Sequence, residues 1–399
     1  MPVEPIFVEK RRLHVAHQHF PAPQPGIANS IQDQLESFVS VSAELPQDDA
    51  SRMLIRTAEY LTAWTEAATV IDEDAIRNDQ YLPDASRYGC MGASITAADN
   101  VSRSMYYIDA ITGRAPESTR RMAQSCELNT VSAVHDIQHR AGLDTVQTPN
   151  STYRFKPGAW RLQQDNIIDD RREHSPPAPA PESIEEAMRS WEHAFRTVEG
   201  NADTWSGAPT VIRAAQAYAG LHAIRPFPDG NARCARTIAL GILHEEGFPA
   251  SGLHAIAARH RSHLNARLVD AVESGDLTEW CRSFVTFATE GVRIVRKSLA
   301  ALREGFLTLA ATLDRDALPD PHDRDRVASH LMQHPVDRPQ VFAQRNDLDR
   351  ETTIALLRPM LDEKHLILGR INGQQVYVNR LSLEIARAMS RPRLHLVSA

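Results

Sequence analysis

Residues 224–236 read Ile-Arg-Pro-Phe-Pro-Asp-Gly-Asn-Ala-Arg-Cys-Ala-Arg, and the helical patterns on either side restrict the fold more than any other stretch of the chain. Upstream, Val211, Ala214, Ala215, Tyr218, Leu221 and Ile224 recur at three- and four-residue spacing, the mark of one buried face on a helix from Thr210 to Ile224. Pro226 stops that helix, because its ring disfavours helical dihedrals at the residue before it. After Pro228-Asp229-Gly230-Asn231 a second helix is predicted from Ala232, through Ile238, Leu240, Ile242 and Leu243, to Gly247.

The loop between them has the chemistry of a phosphate receptor. The first N–H groups of a helix lack intrahelical acceptors and point into the loop, where the helix dipole favours negative charge. Gly230 stands beside them, Asn231 offers a donor, and Arg233 and Arg236 lie one turn apart, a suitable pair for polyphosphate. Asp229 adds an oxygen ligand suited to a phosphate-bound magnesium ion. A plainer account also fits these residues: Asp229 or Asn231 caps the helix and the arginines are solvated.

The same stretch resembles the signature of the Fic (Fido) family, His-Pro-Phe-x-Asp/Glu-Gly-Asn-Gly-Arg-x-x-Arg, at Pro226, Phe227, Asp229, Gly230, Asn231, Arg233 and Arg236. The resemblance implies a mainly α Fic-fold helical bundle with a small β-hairpin flap, magnesium, and ATP or another nucleotide held by Phe227, Gly230, Asn231, Ala232, Arg233 and Arg236, with Asp229 on the metal. Pro157-Gly158-Ala159-Trp160-Arg161, followed by Asn166-Ile167-Ile168, resembles the family's flap, which implies a protein target docked by strand addition around Pro157 to Ile168. His174-Ser175-Pro176-Pro177 and a helix from Ser183 to Val198 follow in the family's order. Val101 to Ile111, with Met105, Tyr106, Ile108 and Ile111 on one side, resembles an early core helix, and Arg261 to Val272 and Gly275 to Phe284 the last ones.

Two departures from the family pattern bear on activity. Where the family has the histidine that takes the proton from the target hydroxyl, this chain has Arg225. A guanidinium stays protonated and has no lone pair for general-base work, and losing a positioned base typically slows a reaction ~10²- to 10⁴-fold. Arg225 remains able to bind phosphate, or to pair with Asp229 and occupy the metal site. Ala232 replaces a glycine; its Cβ is penalised by roughly 1 kcal/mol at positive φ and by nothing at helical φ. His222, one turn before Arg225, is the substitute base to consider, against an ordinary role on the helix surface. Cys234 lies in the first turn, where the dipole favours a thiolate, although a small buried packing cysteine is the simpler reading.

Regulation shows a parallel loss. Many Fic proteins carry an inhibitory Ser/Thr-x-x-x-Glu-Gly/Asn helix; the segment here that resembles its N-terminal form, Gly92 to Ala97, has Thr96 in place of the glutamate. Thr286 to Gly291 matches the short pattern but falls in a predicted core helix and is read as structural.

With 399 residues, 42% hydrophobic, the chain can bury a large core, and a net charge of −7 argues against a surface that coats nucleic acid. Four cysteines without paired metal spacing suit a reducing cytosol, and no apolar run reaches the ~20 residues that cross a bilayer, so a cytoplasmic protein is expected. The expected organisation is a flexible N-terminal lead (1–45), a Fic-like domain (46–305), a linker (306–325), a winged-helix-like domain (326–390) and a tail (391–399). The winged-helix pattern places Ile354, Leu357 and Leu361 inward on Arg350 to Asp362, followed by a hairpin at Leu366 to Val378. Only Arg350, Thr352, Thr353 and Arg358 are offered to DNA, against several nearby carboxylates, so protein docking or a homo-oligomer suits this domain at least as well.

Three functions remain open. One is a nucleotide-binding Fic protein with AMP transfer weak or absent; another is an active transferase with altered chemistry or an alternative base; the third is a DNA-associated regulator acting through the winged helix.

Overall fold

The computed structural model describes residues 26–78, 85–112, 131–141, 145–148, 151–154, 156–165, 176–195, 209–248, 251–313, 316–371 and 374–391. The protein is mostly helical. Helices α1 (Gly26–Ser30), α2 (Gln32–Ala43), α3 (Asp49–Thr62), α4 (Thr65–Ala68), α5 (Glu73–Asn78), α6 (Ala85–Ile111) and α7 (Val131–Ala141) lead to a hairpin of β1 (Thr145–Thr148) and β2 (Ser151–Arg154). A 3₁₀ turn at Pro181–Ser183 then precedes α8 (Ile184–Phe195), α9 (Thr210–Ile224), α10 (Asn231–Glu245), α11 (Leu253–Ser274) and α12 (Thr278–Thr312). The last part comprises α13 (Pro321–Gln333), β3 (Val336–Asp337), α14 (Pro339–Asn346), α15 (Arg350–Asp362), β4 (Leu366–Ile371), β5 (Gln374–Asn379) and α16 (Arg380–Ser390).

The chain divides into two units, one of residues 1–45, 100–146 and 153–292, the other of 46–99, 147–152 and 293–399. In the first, α9 is the central element: Val211, Ala214, Ala215, Tyr218, Leu221 and Ile224 are all buried, as their spacing predicts, and so are Ile212 and Ala217 on its other side. Trp191 and Trp280, both fully buried, donate their indole N–H groups to the α9 carbonyls of Ala217 (3.2 Å) and Ala215 (2.7 Å). Burying a ring of this size is worth roughly 4 kcal/mol before ordering costs, and the hydrogen bond fixes where along α9 it lands. Helix α10 packs along α9, and α7 packs on α10, so the loop joining α9 to α10 is held from several sides.

Helices α11 and α12 meet at a pair of glycines. Gly252, at φ +59°, faces Gly291 so closely that a Cβ on either residue would strike the other strand's backbone. This contact explains the match at Thr286 to Gly291: its glycine is a crossing point, and its Glu290 is bound by Arg259 (2.9 Å) and His260 (3.2 Å). The segment is structural.

In the second unit, β5 lies between β3 and β4 in an antiparallel sheet, with Val378 opposite both Val336 and Ile367. Residues 46–78, expected with the Fic-like region, belong here. Glu73 pairs with Arg380 (3.1 Å) and Arg387 (2.9 Å), and Arg387 also donates to the carbonyls of Ala68 and Ile71. Periodicity shows which face of a helix is buried, not which distant segment covers it.

Several expectations are corrected. Residues 26–45 are not a flexible lead: α1 and α2 bury Ile27, Ile31, Leu35, Phe38 and Val41; residues 1–25 lie outside the described residues. The expected linker is largely helical, since α12 runs to Thr312 and α13 begins at Pro321. The β-hairpin is at 145–154, ahead of the predicted position; residues 156–165 are irregular, turned by Pro157 and Gly158, and Asn166 to Ile168 lie outside the described residues. Gly92 to Ala97 falls within α6. In α15, Ile354 is 53% exposed, and Thr353, Leu356, Leu357 and Met360 form the inner face instead. Thr353, whose hydroxyl is bonded to the Asp349 carbonyl, is therefore not available to DNA.

Candidate anion site at the α9–α10 loop

Helix α9 ends on Arg225 in the left-handed conformation, φ 47° and ψ 59°. For a residue with a Cβ this costs about 1–2 kcal/mol, so the surroundings must impose it. The fully buried stem of Arg161 does so. Its backbone N–H donates to the Pro226 carbonyl (2.9 Å), its Nε to the Arg225 carbonyl (2.7 Å), its Nη1 to Gln163 (2.7 Å), and its Nη2 to the Pro179 carbonyl. Burial pulls the Arg161 pKa down, with Asp165 opposing that shift. The flap-like segment thus clamps the loop.

The Arg225 side chain turns to this clamp. Its Nε donates to Asp165 Oδ2 at 2.7 Å in a partly buried ion pair. Of the two alternatives, pairing wins over open phosphate readiness, but the partner is Asp165 and not Asp229.

Asp229 is engaged by Arg233, Nη2 to Oδ2 at 2.5 Å, while its backbone carbonyl accepts from Gln138 Nε2. Gly230 adopts φ +77°, and a Cβ there would crowd the Gln138 amide at 3.1 Å, so glycine is required on both counts. Asn231, buried, accepts from the Phe227 N–H (2.9 Å) and donates one Nδ2 hydrogen to the Phe227 carbonyl (2.7 Å), closing the loop on itself. Phe227 is fully buried and points its ring toward Trp160 and His135, at 5.1 and 5.9 Å between centroids. Ala232 lies inside α10 and is not among the positive-φ residues, so its methyl introduces no backbone strain.

Arg236 has no carboxylate partner among the described residues; its Nε meets His254 Nδ1 at 3.4 Å. Burial lowers its pKa, and Tyr218 opposes that shift. Arg233 Nε and His254 Nε2 are buried with no hydrogen-bond partner. Burial and the charges of Arg236 and Arg233 hold the His254 pKa well below its usual range, so it stays neutral. An arginine without a carboxylate partner among the described residues, beside an orphaned guanidinium N–H near a helix N-terminus, fits a phosphate-rich anion. Among the described residues no three His, Cys, Asp or Glu side chains gather to hold a metal by themselves; Asp229, whose Oδ2 meets Arg233, is the single carboxylate on the loop, and one carboxylate is enough for a magnesium ion whose other ligands are phosphate oxygens and water.

His222 is buried with Nδ1 unpaired, its ring edge-on to Tyr218. Burial, then the charges of Arg225 and Arg236, push its pKa down to about 3. So weak a base is poorly matched to proton abstraction near neutral pH. Cys234 is a buried packing residue against Val134, and burial raises its pKa, which rules out the helix-dipole thiolate. Sequence reasoning missed Asp165, Gln138 and His254 as site residues. They lie 60, 91 and 18 residues from their partners, and no local pattern marks them.

The sequence model of the Fic/DOC family matches residues 126–243. Among solved structures, a Fic family protein from Desulfovibrio desulfuricans G20 is similar at 12% identity and a TM-score of 0.48, over 90% of this chain and 98% of that one. Fic-1 (residues 134–508) from C. elegans is similar at 16% identity and a TM-score of 0.45, over 74% of each chain. No curated protein sequence matches the chain. No helix among the described residues is long and apolar enough to cross a membrane.

Proposed function

We propose, starting from the match of the Fic/DOC family model to residues 126–243, that this chain binds the phosphates of a nucleotide at the α9–α10 loop and lacks the ordinary transfer of AMP to a hydroxyl. The Arg225–Asp165 ion pair carries this reading. At the family's proton-accepting position stands a guanidinium that cannot accept a proton, neutralised by a neighbouring carboxylate. His222 is too weakly basic to replace it. Arg236, which has no carboxylate partner among the described residues, and the first-turn N–H groups of α10 are proposed to supply the binding. Magnesium enters only as the counter-ion a nucleotide brings with it.

The protein target is proposed to dock by strand addition at the β1–β2 hairpin. We read the run of elements from α13 to β5 as a winged helix used for protein docking, a reading supported by the burial of Thr353, which leaves only Arg350, Thr352 and Arg358 for a nucleic acid.

Calorimetric titration of the full chain with ATP and magnesium, with mass analysis, tests this reading. Binding is expected in the native protein, with no adduct. An AMP adduct on the native protein or a supplied target would overturn it, and absence of binding would reduce the domain to a scaffold. In Arg225→His, released from the Asp165 pair, a nucleotide label should rise ~10²-fold over background, in line with a restored base.

A further inference from the structure

Within the second unit a groove of about 310 Å³ runs between the C-terminal part of α12 and α16. Neither helix supplies a random wall. On α12, Ala301, Gly305 and Thr308 face the groove at four- and three-residue spacing; on α16, Leu381, Ile385 and Ala388 do the same. Each set is one helical stripe, and neither is fully buried apart from Gly305, which is backed by Met332. From Ser298 to Thr308 the trough spans ~15 Å, about three helical turns. At its centre Gly305 lets Met332 and Leu381 close the floor, and Ala301 keeps the wall low.

The charges at this groove have one sign. Glu304 and Glu384, one from each helix, both line it and both are exposed. Neither meets a cation among the described residues, whereas nearby Arg387 is satisfied by Glu73. Two unpaired carboxylates beside an apolar trough are complementary to an apolar ridge flanked by Lys or Arg. They also repel an anionic membrane surface.

We propose that this groove docks an amphipathic helix of a partner protein, apolar on the face it buries and basic on its flanks. The stripes on α12 and α16 receive the ridge, and Glu304 and Glu384 set its orientation.

The test uses the full chain and a fluorescent synthetic peptide of roughly 18 residues, long enough for about five helical turns, with leucines on one face and lysines at its flanks. Fluorescence anisotropy should show saturable binding that weakens at least ~10-fold in Glu304→Gln/Glu384→Gln, or with added salt, since the effect is electrostatic. Ala301→Trp, which fills the trough, should abolish binding. Neutralising an exposed acid of the first unit that does not line the groove, Glu36→Gln, should change nothing. Equal binding of a peptide with glutamates in place of the lysines, or binding indifferent to the Glu304/Glu384 change, would overturn the proposal. So would self-association that Ala301→Trp removes, which would assign the groove to a second copy. Adsorption to phosphatidylglycerol vesicles that this variant removes would assign it to a membrane and overturn the proposal equally. Should Ala301→Trp fail to fold, the exposed double glutamine variant still decides.

Discussion

Two clusters of charge in this protein are built from the same residue types to opposite ends. In the second unit Arg345 is shared by Asp99 (3.1 Å) and Asp337 (3.4 Å), His330 Nε2 meets Asp337 at 3.2 Å, and the His330 and His334 rings lie 4.5 Å apart. One cation serves two carboxylates, beside the His330 imidazole, whose pKa burial lowers. At the α9–α10 loop Arg225 and Arg233 each pair with a carboxylate, and Arg236 meets a neutral histidine and Tyr218. In the Arg345 network both carboxylates meet the same cation, whereas at the loop Arg236 has no carboxylate partner among the described residues, which is why the ligand proposed above is an anion.

The sharpest way to break this comparison is to remove the central cation of the matched network. Arg345→Ala leaves Asp99 and Asp337 without their shared partner and should lower the unfolding free energy by about 3 kcal/mol, read by urea denaturation, with ATP affinity unaltered. Arg236→Ala should do the reverse: ATP binding, followed by calorimetry, falls ~30-fold, about 2 kcal/mol, while the urea midpoint stays or rises because an uncompensated cation has been removed. If Arg236→Ala destabilised the fold as Arg345→Ala does, the distinction would fail.

Acid sharpens it further. Folded His222 has its pKa pushed to about 3 against an ordinary 6.5, so the unfolded chain takes up a proton first and stability is lost as pH falls from 6.5 toward 3. Each such histidine contributes up to ~1.4 kcal/mol per pH unit across that window. At His330 the bonded Asp337 opposes the burial shift, whereas at His222 both neighbouring charges reinforce it. His222→Gln should therefore flatten the stability–pH curve more than His330→Gln. The smallest effect is expected at Ala232: glycine there should destabilise α10 by less than ~1 kcal/mol and leave ATP binding unaltered, because the helical backbone needs no positive φ.

How much of this was legible beforehand follows from which interactions are local. The buried face of α9 and the course of α10 are written in residue spacing, and the replacement of a proton acceptor at 225 is visible in one letter. The open question at Ala232 needed only a dihedral. What the local pattern concealed were the long-range partners. Asp165 takes Arg225, Gln138 holds the Asp229 carbonyl, and Glu73 ties residues 46–78 to α16. Asn231 has a role that the pattern did not give, since its side chain brackets the Phe227 backbone on both sides. At α15 the periodicity was right but its phase was not: Leu356 and Met360 fill the core, and Ile354 turns outward.

The glycine pair at Gly252 and Gly291 reaches further than its own packing suggests. Gly252 caps α11, and His254, two residues on, is the group that meets Arg236. Any methyl introduced at the crossing must push α11 and α12 apart and shift that imidazole with them. An alanine at 291 would thus present as a ligand-affinity defect in a residue that touches no ligand, and a screen for binding mutants would map part of the anion site onto the far side of a helix.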